Sequence, residues 1–204
     1  MSGTVAAAGV VALAGLAGTV ASLVYLHLAP TGLSPVRNAV SQYGITRFRG
    51  GYRAATISLG VAGAALATGI GAALDAAGTA TVVGLLVVFA LGRLVISWFP
   101  MDEPGGPRSS TGSAHGLIAI VTFTSVTVAA LRLGSILRHA APWHALATAS
   151  TVLGWAMVLA IAGMLIGRSS PDLRRRFGAV ERVLYVAILA WTGVFAVACA
   201  LRVR

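Results

Sequence analysis

The sequence predicts an all-α integral membrane protein, a six-transmembrane-helix bundle with polar, Arg-rich loops on one face. Three observations lead there. Hydrophobic residues make up 57% of the 204 residues and charged ones only 10%, where an ordinary globular chain has about a quarter of its residues charged. Mean hydropathy is +0.89. Six apolar runs are each long enough to cross a hydrocarbon core, which takes about 20 helical residues. Such a chain cannot cover a water-facing surface, and this excludes a soluble enzyme, a disordered tail and a DNA-binding domain.

The spans, all in one domain over residues 1–204, are read as Thr4–Ala29, Arg53–Leu74, Thr79–Phe99, Ala114–Leu133, Leu146–Gly167 and Arg182–Leu201. The first has no basic leader and exceeds the roughly 7–15 apolar residues of a signal peptide, so it is expected to stay as a helix. The loops after the second and fourth spans are short. Those after the first, third and fifth hold most of the polar residues, and six crossings place these three on one membrane face, opposite both termini. In the first loop, Ser34-Pro35 is a helix start, and Val36, Val40 and Tyr43 then recur at helical spacing opposite Arg37, Asn38 and Ser41. That pattern predicts a short amphipathic helix lying at the interface. In the third loop, prolines 100, 104 and 107 with Gly105 and Gly106 impose a non-helical path, and Ser113 is the expected cap of the fourth helix, leaving His115 in its first turn. In the fifth loop Ser170-Pro171-Asp172 is a helix start from which the sixth helix could run on through Arg182.

All fifteen basic residues are Arg, against five acidic residues, for a net charge of +10. In a soluble chain this would suggest a nucleic-acid partner. Here the arginines lie between apolar runs rather than along one stripe, so the expected partners are membrane lipids and no nucleic acid. The all-Arg usage, with abundant Ala, Gly and Val, looks like a GC-rich bacterial coding sequence, and a bacterial plasma (inner) membrane is the expected location. Counting Arg near the span ends gives ten on the rich-loop side and four on the terminal side, which by the positive-inside rule places the rich loops in the cytoplasm. Arginines recruited by a ligand would corrupt that count. Small residues at Gly60 and Ala64, or Gly63 and Ala67, allow close helix contact within one bundle or between copies, so the oligomeric state stays open. Cys199, the lone cysteine, reads as a small buried hydrophobe and excludes a disulfide framework.

Ionisable groups at membrane depth are costly and therefore functional candidates. His27, Tyr43, Arg53, Asp102, Glu103, His115, Glu181 and Arg182 all fall at the rich-loop face, close enough in a bundle to share one cavity. Asp102 and Glu103 are the candidate general acid/base pair, because desolvation at a lipid boundary raises a carboxyl pKa. The alternative is that they form salt bridges to Arg53 or Arg108. His115 and His27 would orient them or, with a carboxylate, bind a divalent metal, which in a catalytic zinc site needs three protein ligands and an open position. No H-x-x-x-H, H-E-x-x-H or C-x-x-C is present, so the cofactor stays open between such a metal and none. Ser109, Ser110, Thr111 and Ser113 precede His115, but without G-x-S-x-G they read as caps and turns. Arg53, Arg108, Arg182, Tyr43 and Glu181 are the candidate substrate-binding residues, since Arg suits bidentate contact with a phosphate or carboxylate headgroup. The run Arg174-Arg175-Arg176 reads as a contact with anionic lipid. Arg93, two turns inside the third span, would snorkel to the boundary or pair with a carboxylate such as Asp102. The sharpest expectation is an ion pair between Asp102 and an arginine of another segment, Arg53 first and Arg108 or Arg93 next, with His115 close by.

The motifs H-x-x-P-T-G with V-x-x-x-V-S-x-Y-G, then W-F-P-M-D-E-P-G with G-x-x-H-G, then R-F-G-x-x-E-R, carry a likeness that runs from about His27 to Arg204, nearly the whole chain. In that order they resemble the bacterial membrane family catalogued as domain of unknown function 998, mainly through Phe99–Asp102 and His115–Gly116. The resemblance implies a six-helix bacterial inner-membrane protein of unestablished activity, with no catalytic residue to carry over. It would put the rich loops outside, whereas the arginine count puts them inside. Two functions fit the residues. One is an enzyme acting on a lipid or isoprenoid amphiphile at the face formed by loops one, three and five. The other is a non-catalytic lipid-binding, transport or complex-accessory protein; no nucleotide motif or inverted repeat points to a pump.

Overall fold

The computed structural model describes residues 2–140, 143–167, 169–170, 172 and 175–201. Six long helices account for it: α1 (Ser2–Leu28), α2 (Arg49–Ala73), α3 (Thr79–Val95), α4 (Ser110–Leu137), α5 (His144–Ile166) and α6 (Phe177–Ala200). Each is long and apolar enough to cross a membrane, α3 with the 3₁₀ turn Ile96–Trp98 that continues it. The chain is a multi-pass membrane protein. Successive helices pack as antiparallel neighbours, α6 closes the ring on α1, and α2 reaches α6 across the middle. Accordingly α2 and α6 are the most buried helices and α5 the least.

Small residues set the closeness of these contacts. A Cβ on Gly9 of α1 would meet the backbone of Ala200, and one on Gly15 would lie 2.7 Å from the Ser58 carbonyl of α2. Toward the end opposite the rich loops, polar side chains also join helices. There Trp191 of α6 donates its indole N–H to Ser150 Oγ at 2.9 Å, and Ser150 donates in turn to the Ala130 carbonyl of α4 at 2.7 Å. Gly134 of α4 and Gly154 of α5 let the same two helices approach. In hydrocarbon, where no water competes, such small-residue contacts and interhelical hydrogen bonds are what hold helices together.

Helix ends depart from the hydropathy reading for a shared reason: hydropathy reports membrane depth, whereas the backbone stays helical into the headgroup zone until a cap or breaker stops it. Thus α2 begins at Arg49, after a turn in which Thr46 Oγ1 accepts from the Phe48 N–H. The cap of α4 is Ser109 rather than Ser113, its Oγ accepting from the Gly112 N–H, so His115 lies in the second turn instead of the first. Helix α6 begins at Phe177 and does not run through from the Ser170-Pro171-Asp172 start. Asp172 and Arg175 have helical backbone and form an exposed ion pair, and a turn at Arg176 separates them from α6. Pro171, Arg168, Arg174, Arg202 and Arg204 lie outside the described residues.

The amphipathic helix expected in the first loop is also replaced. A turn at residues 35–37 leads into a 3₁₀ helix, Val40–Ile45, whose Val40, Gln42 and Tyr43 are buried, while Val36 is exposed. The loop packs down on α6 instead of floating at the interface, and its backbone follows that surface.

Gly134→Val is expected to destabilise the bundle by about 1–3 kcal/mol through overpacking. The new Cβ would lie 2.5 Å from Thr151 Oγ1, with the Thr151 N–H at 3.1 Å and the Ala147 carbonyl at 3.2 Å beside it, backbone atoms that cannot turn aside. Thermal unfolding in detergent checks this.

Candidate functional site

At the rich-loop end the helices part to enclose a cavity of about 450 Å³, within the usual range for a small-molecule site. The wall of α4 is a helical stripe: Gly112, His115, Gly116, Ala119, Ile120, Phe123 and Thr124. The α6 wall is Phe177, Glu181 and Tyr185, one turn apart each, and α5 adds Ile161, Met164 and Leu165. Arg93 and Ile96 enter from α3 and Tyr52 from α2, with Ala39, Ser41, Met101 and Asp102 from the loops. Ser41 Oγ lies 3.1 Å from Met101 Sδ, so the first and third loops meet beside the cavity.

Arg93 is the dominant group in it. The side chain is 1% exposed, and it neither snorkels to the boundary nor pairs with Asp102. It turns inward and donates from Nη2 to Tyr185 Oη at 3.0 Å, with the guanidinium carbon 5.4 Å from the Tyr185 ring and 5.9 Å from the Phe123 ring. Its Nε is buried without a hydrogen-bond partner. Glu181, also buried, accepts the Val40 N–H at 2.6 Å through one carboxylate oxygen. His115 donates from Nδ1 to the Phe99 carbonyl at 2.7 Å, which in the neutral ring leaves Nε2 as the lone-pair nitrogen.

Asp102 does something other than expected. No ion pair joins it to Arg53, Arg108 or Arg93. Its carboxylate accepts from Ser109 twice, from Oγ at 2.6 Å and from the backbone N–H at 3.1 Å, while Ser109 caps α4. The carboxylate lies against Gly112, where any Cβ would collide with it. A carboxylate is favoured at a helix N-terminus by the unsatisfied N–H groups there. These bonds, and secondarily the Arg108 charge, hold its carboxyl below the usual carboxylate range. Arg53 instead stacks its guanidinium 4.8 Å over the Trp98 ring, and Glu103 and Arg108 are exposed.

The remaining candidates form a second group on the rim. Arg182 donates to His27 Nε2 at 2.8 Å, the Asn38 carbonyl at 2.9 Å, the Gly178 carbonyl at 3.0 Å and Tyr43 Oη at 3.3 Å. His27 Nδ1 donates to the Leu23 carbonyl at 2.6 Å, which assigns Nε2 as acceptor. The Ala179 N–H donates to the Val36 carbonyl, and Gly178 lies against the backbone of Pro35 and Asn38. The stretch Gly178–Arg182 is therefore the track on which the first loop docks. His115 and Asp102 share the cavity wall; His27 does not reach it. Among the described residues no three His, Cys, Asp or Glu side chains converge as a metal site. Tyr52 and Tyr185 escaped sequence reading, although Tyr185 follows Glu181 by one helical turn and both tyrosines are polar-tipped groups at the ends of apolar runs.

A family model described as a protein of unknown function, DUF998, matches residues 3–198. The chain belongs to the DUF998 family. No curated protein and no solved structure matches it. Seen in the fold, the resemblance through Phe99–Asp102 and His115–Gly116 is one clasp in this DUF998 chain: Asp102 holds the start of α4, and His115 reaches back to Phe99.

Ser109→Ala is expected to cost about 1 kcal/mol as a lost cap. Asp102→Asn should lower the melting temperature at neutral pH. Because the folded carboxyl is held below its ordinary value of 3.8, the wild-type advantage is complete above that pH and disappears as pH falls through the lower folded value. Melting curves of both proteins across the acid range check the sign.

Proposed function

We propose that this protein is a bacterial inner-membrane protein that acts on a lipid or isoprenoid amphiphile, held in the cavity between α3, α4, α5 and α6 with its anionic headgroup on Arg93. The observation that carries this reading is Arg93, buried at membrane depth on the wall of a cavity whose other walls are largely apolar, with its Nε unpartnered. Arg93 forms no salt bridge among the described residues, although the buried Glu181 lines the same cavity; a guanidinium so placed is expensive, and Arg is the side chain whose planar donors match phosphate or carboxylate oxygens. Ile120, Phe123, Ile161, Met164 and Leu165 offer an apolar wall beside it, so head and chain would each meet matching chemistry.

If turnover occurs, the groups placed for proton transfer are His115, through Nε2, and Glu181, both on the cavity wall. Asp102 is committed to capping α4 and serves as a positioning residue for His115. Arg182, His27 and Tyr43 hold the first loop over the site, and Arg53, Arg108 and Glu103 face the headgroup zone outside it. The engagement of Asp102 by Ser109 favours, as the second reading, binding and presentation of the amphiphile without turnover.

Arg93→Met separates a ligand-binding arginine from a structural one. Replacing a poorly paired buried charge with an apolar side chain of similar length is often neutral or stabilising by about 1–4 kcal/mol. We expect an unchanged or higher melting temperature together with loss of the lipid that the wild type retains, read by native mass spectrometry of the detergent-purified protein. A lower melting temperature with the same retained lipid would refute the reading.

A further inference from the structure

The cavity has an edge open toward the bilayer, and the helix packing explains it. At the far end α4 and α5 are drawn together by Gly134, Gly154 and the Ser150–Ala130 hydrogen bond. Toward the rich-loop end the same helices both line the cavity, and a Cβ at Gly116 of α4 would meet nothing within 4 Å. The α4 stripe has two edges at helical spacing four. On the inner edge, His115 and Phe123 are buried, at 7% and 8% exposure; on the outer edge Ile120 is 54% exposed, with Thr124 also exposed. Across from them Leu165 of α5 is 52% exposed. The outward neighbours Leu117, Val121 and Ile166 are exposed and apolar, as a lipid-facing surface must be.

We infer that the gap between Gly116–Ile120–Thr124 of α4 and Ile161–Leu165 of α5 is a lateral portal, through which the hydrocarbon chain of an anionic-headgroup membrane amphiphile enters from the bilayer while its head reaches Arg93. This rests on the amphiphile reading above and adds the route. Depth agrees with it. At about 1.5 Å per residue, Gly116 to Thr124 lies roughly 9–21 Å from the start of α4, so the gap runs from headgroup level toward the middle of a core about 30 Å thick. Charge decides the occupant: the buried Arg93, its Nε unpartnered, calls for an anion, and the apolar outer lips call for a chain. Gly116 has a role here that packing does not supply. Glycine inside a helix costs about 1 kcal/mol relative to alanine. Gly112 is required by the Asp102 carboxylate against it, whereas a Cβ at Gly116 would meet nothing within 4 Å. Its missing side chain leaves the mouth clear at the level where a headgroup must pass.

The test uses full-length protein in phosphatidylcholine nanodiscs, mixed with vesicles of phosphatidylglycerol labelled on one chain with a fluorophore. Wild type should take up and retain the labelled lipid. Gly116→Phe and Thr124→Phe, placed in open or exposed positions, should keep the wild-type melting temperature and slow uptake by about tenfold or more, a barrier raised by about 1.4 kcal/mol or more. A Thr124→Cys variant adds a readout without bulk: a maleimide carried on a lipid chain should label it, and phosphatidylglycerol should protect it, the native Cys199 being buried. Arg93→Met distinguishes the two ideas. If it takes up and holds the lipid like wild type, the amphiphile reading falls and the portal with it. If it loses the lipid but both Phe variants exchange at the wild-type rate, and Thr124→Cys is labelled no faster by the chain-borne reagent than by a water-soluble one, the portal is wrong while the reading stands. Retention of inorganic phosphate alone, or a second copy of the chain crosslinked through position 124, also overturns the portal.

Discussion

A guanidinium at membrane depth has to be satisfied by the protein or by something the protein holds. That constraint organises this structure. Arg93 cannot reach water, and Tyr185 supplies one acceptor while the Phe123 and Tyr185 rings supply electron-rich faces at 5–6 Å. The contacts leave donor capacity over, most plainly at Nε. A core designed only for stability would have replaced such a group with leucine or methionine. In the amphiphile reading proposed above, that cost is offset when an anionic headgroup occupies the cavity.

The polar motifs that surround the cavity are best understood through the same constraint. In hydrocarbon, loop carbonyls and N–H groups must find partners inside the protein. Glu181 takes the Val40 N–H, Arg182 takes the Asn38 carbonyl, and His115 donates to the Phe99 carbonyl. Asp102 and Ser109 together finish the N-terminus of α4. Each of these charged or titratable side chains is therefore a clasp between a loop and a helix end. The clasps fix where the first and third loops lie and so fix the roof of the cavity. Glu181 and His115 serve both ends, clasping a loop with one polar atom while facing the cavity.

The bundle divides its labour along its length. Small residues and the Trp191–Ser150–Ala130 chain make the far end dense. At the other end Ile120 and Leu165, both exposed, line the cavity. Close packing has low compressibility and transmits strain, so the helix contacts at Gly134 and Gly154 help fix how α4 and α5 lie where they line the cavity.

How much of this was legible beforehand follows from which interactions are local. The six spans, the face that carries the polar loops and the stop at Pro100 could be read directly, because lipid punishes any window of about 20 residues that is not apolar. Asp102 illustrates the limit. Sequence reasoning sought a distant arginine for its charge, whereas a serine seven residues on, at the tip of the next helix, was nearer and better oriented. Arg53 likewise settled on Trp98. The direction in which Arg93 points could not be read at all. Helices apolar on every side carry little record of which face turns inward, and Tyr185, its partner, lies 92 residues away. Where each span sits was a property of the chain alone; which polar groups share a cavity was decided by the rotation of each helix against its neighbours, and that exists only once all six have packed.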